Sequence, residues 1–226
     1  EFALANSEVT VTEAGFGSDL GAEKFFDIVS RKTSLKPDVT VLVTTIRSAK
    51  YNAEVASDVL MEENVDAVKK GLNNLEAHID NLKKFGTPIL VLLNKFDTDT
   101  EEEIKAIRNI CTTRNVEFSV CEGHEKGSDG SLDPAKKVLE LFENNYEINY
   151  VYELSDDIKT KIEKVATNIY GAGSVKYSDK AIEELKRISE LGASLPICIA
   201  KTQFSLSDDK TKLGRPDSFE FHVSDI

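Results

Sequence analysis

Residues 39–46 and 89–93 are near-continuous runs of β-branched and aliphatic side chains. Between them, Val65, Val68, Leu72, Leu75, Ile79 and Leu82 recur at intervals of three and four within residues 62–84. Runs of that composition are expected of strands buried on both faces, which places them in a parallel sheet covered by helices. The three-and-four spacing is that of an amphipathic helix, here stopped by Gly86-Thr87-Pro88. Strand, helix, strand is the crossover unit of an α/β layer. The pattern extends both ways. Downstream it predicts a helix over 98–114 with acids in its first turn, a strand over 116–121 and a helix over 132–145. Upstream, alternating Val9 and Val11 suggest a strand, and Phe25, Phe26, Ile28 and Val29 suggest a helix over 22–31, ended by Lys36-Pro37-Asp38.

Past Asn149 the pattern shifts to helices over 156–168 and 178–191, the second capped by Ser178, with Gly171-Ala172-Gly173 between them. A buried strand over 196–200 then runs into a polar loop over 201–209, too long to be a mere connection. The expected architecture is an α/β fold with a mostly parallel layered sheet over 1–148, and a smaller, partly helical unit over 149–226.

The formal net charge of −12, with 40 acidic residues and no offsetting Lys/Arg cluster, argues against nucleic acid and anionic membranes as partners. No stretch approaches 18 consecutive apolar residues, and the start lacks a basic-then-apolar signal pattern. Cys111, Cys121 and Cys198 are odd in number and far apart. His78, His124 and His222 are dispersed, so neither a disulfide framework nor a metal site is expected. A reducing, cytoplasmic setting fits. The chain opens on Glu1-Phe2 without a methionine and stops at Asp225-Ile226, which reads as a piece of a longer enzyme.

Three stretches could carry chemistry. Gly15, Gly17 and Gly21, spaced Gly-x-Gly-x-x-x-Gly, join the first expected strand to its helix, and Ser18 or Asp19 could cap that helix. A bare-backbone turn facing free helical N–H groups could hold a phosphate or a flat ring, although such turns are mostly just tight turns. Asn94-Lys95-Phe96-Asp97 follows a buried strand in the form of a guanine-reading motif, but no Gly-x-x-x-x-Gly-Lys-[Ser/Thr] phosphate loop occurs in the chain. The glycine-rich segment 122–130, containing His124, follows the next strand, where α/β folds bind ligands.

The literal residues say more. Residues 13–28 (EAGFGSDLGAEKFFDI), Asn94-Lys95-Phe96 with Thr98-Asp99-Thr100, and residues 200–209 with Leu213-Gly214-Arg215-Pro216 resemble, in order, three motifs of the formate–tetrahydrofolate ligases. The resemblance implies a P-loop-class α/β fold. It also implies ATP-dependent joining of formate to tetrahydrofolate through formyl phosphate, with magnesium, possible use of a monovalent cation, and a homotetramer. It gives Phe96 and Phe16 ring-contacting roles, with Gly15, Gly17, Asn94 and Lys95 beside them. His124 stands where the family commonly has a stacking Trp, and the chain contains no Trp. An imidazole offers less area than an indole, so a ring should be held more weakly. The resemblance puts the phosphate loop and the formate-orienting Arg upstream of these residues, so catalytic residues are not assigned and the chain alone is expected to be inactive. A GTP-binding switch using Asn94-Lys95-Phe96-Asp97, or a non-catalytic assembly module, is the alternative.

Overall fold

The computed structural model describes residues 2–142, 145–190 and 194–226. A short helix, α1 (Phe2–Asn6), is followed by an irregular exposed segment. Residues 9–11 form no strand there, and Val11 is 90% exposed. Two alternating valines bury too little apolar area to offset the ordering of their backbone. The helix expected next exists as α2 (Gly21–Lys24), a π-helical turn over Phe25–Ser30 and α3 (Arg31–Thr33).

Strand β1 (Thr40–Thr44) leads directly into α4 (Ile46–Asn52), which the unbroken β-branched run concealed. Its start signal is a capping box: Thr45 and Ser48 each satisfy the other's backbone N–H. Helix α5 (Val65–Lys84), strand β2 (Ile89–Asn94), helix α6 (Glu101–Thr113) and strand β3 (Glu117–Cys121) follow as expected. The three strands are parallel in the order β1-β2-β3, with Thr44 opposite Leu93 and Asn94 opposite Cys121. Only β2 is central. Edge strand β1 leaves Val41 and Val43 exposed, so it is not buried on both faces.

The glycine-rich segment 122–130, expected as a loop after β3, is largely helical. It forms α7 (Gly123–Lys126) and a 3-10 turn over Gly127–Ser131, leading into α8 (Leu132–Leu141). Beyond it lie α9 (Ile158–Val165) with a π-helical turn over Ala166–Tyr170, strand β4 (Ser174–Tyr177), α10 (Asp179–Glu190) and strand β5 (Glu220–Val223). Ser178 accepts from Ala181 N–H, as its capping role requires. Strand β4 pairs in parallel with β5, a partnership the sequence reading missed. Residues 196–200 form no strand, and Ile197 N–H donates instead to the Tyr152 hydroxyl at 3.1 Å.

Helix α4 packs on α5 at Gly71, where a Cβ would lie 1.7 Å from the Ala49 carbonyl oxygen. One apolar cluster contains Phe26 stacked on Phe85 at 4.6 Å, Val91 and Leu93 of β2, and also Tyr152, Val165, Tyr170 and Phe221. Among the described residues, no helix is long and apolar enough to cross a membrane.

Candidate functional site

The chain leaves β2 at Asn94 and turns at once. Lys95 N–H donates to the Cys121 carbonyl at 3.0 Å, tying the carboxyl ends of β2 and β3 together. Phe96 N–H donates to the Asp99 carboxylate at 2.9 Å, and Asp99 N–H returns to the Phe96 carbonyl at 2.9 Å. Burial pushes the Asp99 carboxyl up, against the pull of the Phe96 N–H. Thr100 then caps α6 in a box with Glu103. Below the turn, Glu103 is fully buried and pairs with the equally buried Lys50 of α4 at 2.7 Å. Burial opposes ionisation of Glu103, but hydrogen bonds from Asn64, Lys50 and Thr100 outweigh it and hold its pKa below the usual range. The Phe96 turn therefore stands on a fixed polar footing.

Beside it lies a cavity of about 210 Å³ lined by Lys95, Phe96, Asp97, Asp99, Glu122 and Glu125. Lys95 Nζ is 3.2 Å from Glu122, which Lys126 also approaches at 2.6 Å. Those two hydrogen bonds, Lys126 first, hold the Glu122 pKa down. The Arg47 guanidinium of α4 lies 4.1 Å from the Phe96 ring centroid. A larger cleft of about 640 Å³ sits at the other end of the sheet, bordered by Ile89, Glu117, Arg108 and Lys137. Ligands of parallel sheets bind outside the carboxyl ends of the strands, so the smaller cavity is the candidate site.

Of the residues singled out in sequence, Lys95, Phe96 and Asp97 line this cavity, and half-buried Asn94 ends the strand beneath it. His124 is exposed on α7, between two residues that line the cavity but not itself among the lining. Phe16 is 78% exposed and is likewise absent from the lining.

The glycine turn has a packing function that its sequence concealed. Gly17 has a positive φ of 80°, and a Cβ on Gly21 would sit 1.9 Å from the Gly15 carbonyl oxygen, so the turn lies directly against the start of α2. Leu20 and Gly21 N–H both donate to Gly17 O, and no N–H cradle forms from them. Neither expected cap acts as one. Ser18 bonds His78 at 2.7 Å, Asp19 pairs with Lys201 at 2.7 Å, and the residue preceding α2 is Leu20, without a side-chain cap. Burial pushes the His78 pKa down.

Sequence reasoning missed Arg47, Lys50 and Glu103. The boxes Thr45-x-x-Ser48 and Thr100-x-x-Glu103 were the available signals for the helices that carry them.

The parallel sheet and its covering helices make this an α/β protein, and the aromatic turn beside a polar cavity stands at the edge where such sheets hold ligands. The family model described as formate–tetrahydrofolate ligase matches residues 1–226. The chain is 50% identical over 226 residues to the formate–tetrahydrofolate ligase of Campylobacter concisus, covering 99% of this chain and 41% of that protein. It is 46% identical over 227 residues to that of Petrotoga mobilis, covering 100% and 41%. It is 49% identical over 222 residues to that of Caldicellulosiruptor saccharolyticus, covering 97% and 40%. The chain belongs to the formate–tetrahydrofolate ligase family, and it spans about two fifths of the length of these relatives.

Proposed function

We propose that this chain contributes the tetrahydrofolate-holding wall of an ATP-dependent ligase that forms 10-formyltetrahydrofolate. In the reaction, a formate oxygen attacks the terminal phosphorus of ATP and ADP leaves. N10 of tetrahydrofolate then attacks the carbonyl carbon of formyl phosphate, losing its proton as inorganic phosphate departs. The role assigned to this chain is to bind and orient the folate ring so that N10 faces the acyl carbon. The single observation that carries the reading is Phe96, half-buried at the end of β2 and walling a polar cavity, in a chain of this family.

The polar groups here do not fit a magnesium–polyphosphate cradle. The Leu20 and Gly21 amides are spent on Gly17 O, Lys95 is drawn to Glu122, and the cavity carries four acids against one lysine. Among the described residues no group of three His, Cys, Asp or Glu is arranged for a metal. No step through magnesium or a monovalent cation is derived from them. The layered P-loop-class sheet and homotetrameric assembly implied by the resemblance, and the cytoplasmic setting suggested by the cysteine usage, belong to the same proposal.

Calorimetric titration of the chain with tetrahydrofolate tests the reading. Binding should be measurable, and Phe96→Ala should weaken it about three- to tenfold, the scale of one aromatic stacking contact. No binding by the wild-type chain, or an unchanged affinity in Phe96→Ala, would discard it. The 226-residue chain by itself should form no 10-formyltetrahydrofolate.

A further inference from the structure

We propose that Arg47 is a positioning residue for the Phe96 ring, bracing one face so that the other is presented to the tetrahydrofolate ring. This rests on the reading of Phe96 given above. The register of the sheet brings the two together. Thr44 of β1 lies opposite Leu93 of β2, and Arg47 and Phe96 each follow that pair by three residues, one on a short helix and one on a turn. Both supports are rigid. The start of α4 is fixed by the Thr45–Ser48 box, and α4 is anchored further along by the buried Lys50–Glu103 pair. The backbone of Phe96 is fixed by Asp99.

The guanidinium is not held by an acid. Among the described residues no carboxylate oxygen lies within 4 Å of it, although Asp99 is near enough to feel its charge. Among the described residues its buried Nε has no hydrogen-bond partner, and the guanidinium lies over the Phe96 ring at 4.1 Å from the centroid. Such stacking is favourable because the face of an aromatic ring is electronegative. A phenyl ring on a turn has rotamer freedom that a ligand must otherwise quench on binding. A cation resting on one face removes that freedom beforehand and leaves a single face open.

The test is a double-mutant cycle read by calorimetry with tetrahydrofolate on wild type, Arg47→Ala, Phe96→Ala and the double variant. Circular dichroism checks the fold, and Arg47→Met, which keeps the apolar stem, replaces Arg47→Ala if that variant does not fold. Arg47→Ala should weaken binding about three- to tenfold, the range expected of a cation–π contact. Arg47→Lys should recover part of the loss, and on the Phe96→Ala background removing Arg47 should change affinity less than twofold. If Phe96→Ala weakens binding while Arg47→Ala does not, or if the two effects simply multiply, the inference fails alone. If Phe96→Ala binds as wild type does, the reading of Phe96 fails and the inference falls with it.

Discussion

Lys201 Nζ lies 2.7 Å from the Asp19 carboxylate, with 2% and 5% of the two side chains exposed. The pair joins the glycine turn near the start of the chain to the polar loop near its end. Lys201 also donates to the Thr202 and Ser205 carbonyls, while Ser205 and Ser207 bond each other and the surrounding backbone. This third family motif is thus held by its own internal bonds and clamped to the first.

Removing one partner of a buried pair leaves the other charge uncompensated, which costs about 3–5 kcal/mol. Lys201→Met should therefore destabilise the fold by that order in urea denaturation. Asp19→Asn combined with Lys201→Met should lose markedly less, because no unpaired charge stays buried. A double variant that loses the sum of the Lys201→Met and Asp19→Asn losses would show that the pair is not coupled.

Gly21 and Gly127 separate two reasons for a glycine. At Gly21 a methyl group would meet backbone, the Gly15 carbonyl at 1.9 Å, so the turn must move. Gly21→Ala should cost about 2 kcal/mol or more by overpacking. At Gly127 a Cβ would meet nothing within 4 Å, but φ is +59°. With ψ at −138° this is backbone that glycine alone enters readily, so Gly127→Ala should cost about 1–3 kcal/mol of strain without any clash. Thermal melts of both variants should lie below that of the wild type.

Elements with long periodic patterns were legible in sequence. Helix α5 announces itself through Val68, Leu72, Leu75, Ile79 and Leu82, every one buried. Central strand β2 does so through Ile89–Asn94, an apolar run ending in Asn. Pairings between distant short segments were not legible, because they are set by partners far along the chain. Nothing near Ser174–Tyr177 signals that its mate is Glu220–Val223. Conversely Pro196–Ala200 has strand composition, yet the Ile197 amide goes to a tyrosine hydroxyl. The Phe96 turn was visible as a motif, whereas its footing, Lys50 with Glu103, joins residues 53 positions apart and has no local signal.

The turn makes a prediction of its own. Asp99 accepts from Phe96 N–H, a role an amide oxygen can also fill. Asp99→Asn should be tolerated within about 0.5 kcal/mol, whereas Asp99→Ala should lose about 1–2 kcal/mol and free the Phe96 backbone. Tetrahydrofolate affinity should follow the same order. An Asn variant as damaged as the Ala variant would mean that the charge, not the hydrogen bond, matters.

Burial of Glu23 and Asp27 makes the stability of the chain depend on pH. Glu23 and Asp27 face inward from successive turns of the helix that follows the glycine turn, and among the described residues no N–H or hydroxyl donor reaches either Glu23 carboxylate oxygen. Burial, and then the Asp27 charge, push the Glu23 pKa from 4.5 up to about 8. Asp27 is raised as well, chiefly by burial. Between pH 4.5 and 8 the folded chain keeps a proton on Glu23 that the unfolded chain releases. The stability it contributes is complete below about pH 4.5 and is lost as pH rises through 8. Half-buried His78 has the opposite sign, since its lowered pKa makes stability rise with pH up to its ordinary value of 6.5. Above that value the Glu23 effect stands clear of it. The urea midpoint of the wild type should fall between pH 7 and 8, and Glu23→Gln, which mimics the protonated carboxyl, should flatten that slope and raise stability at pH 8. The same slope in the variant as in the wild type would show that Glu23 is already ionised in the folded chain.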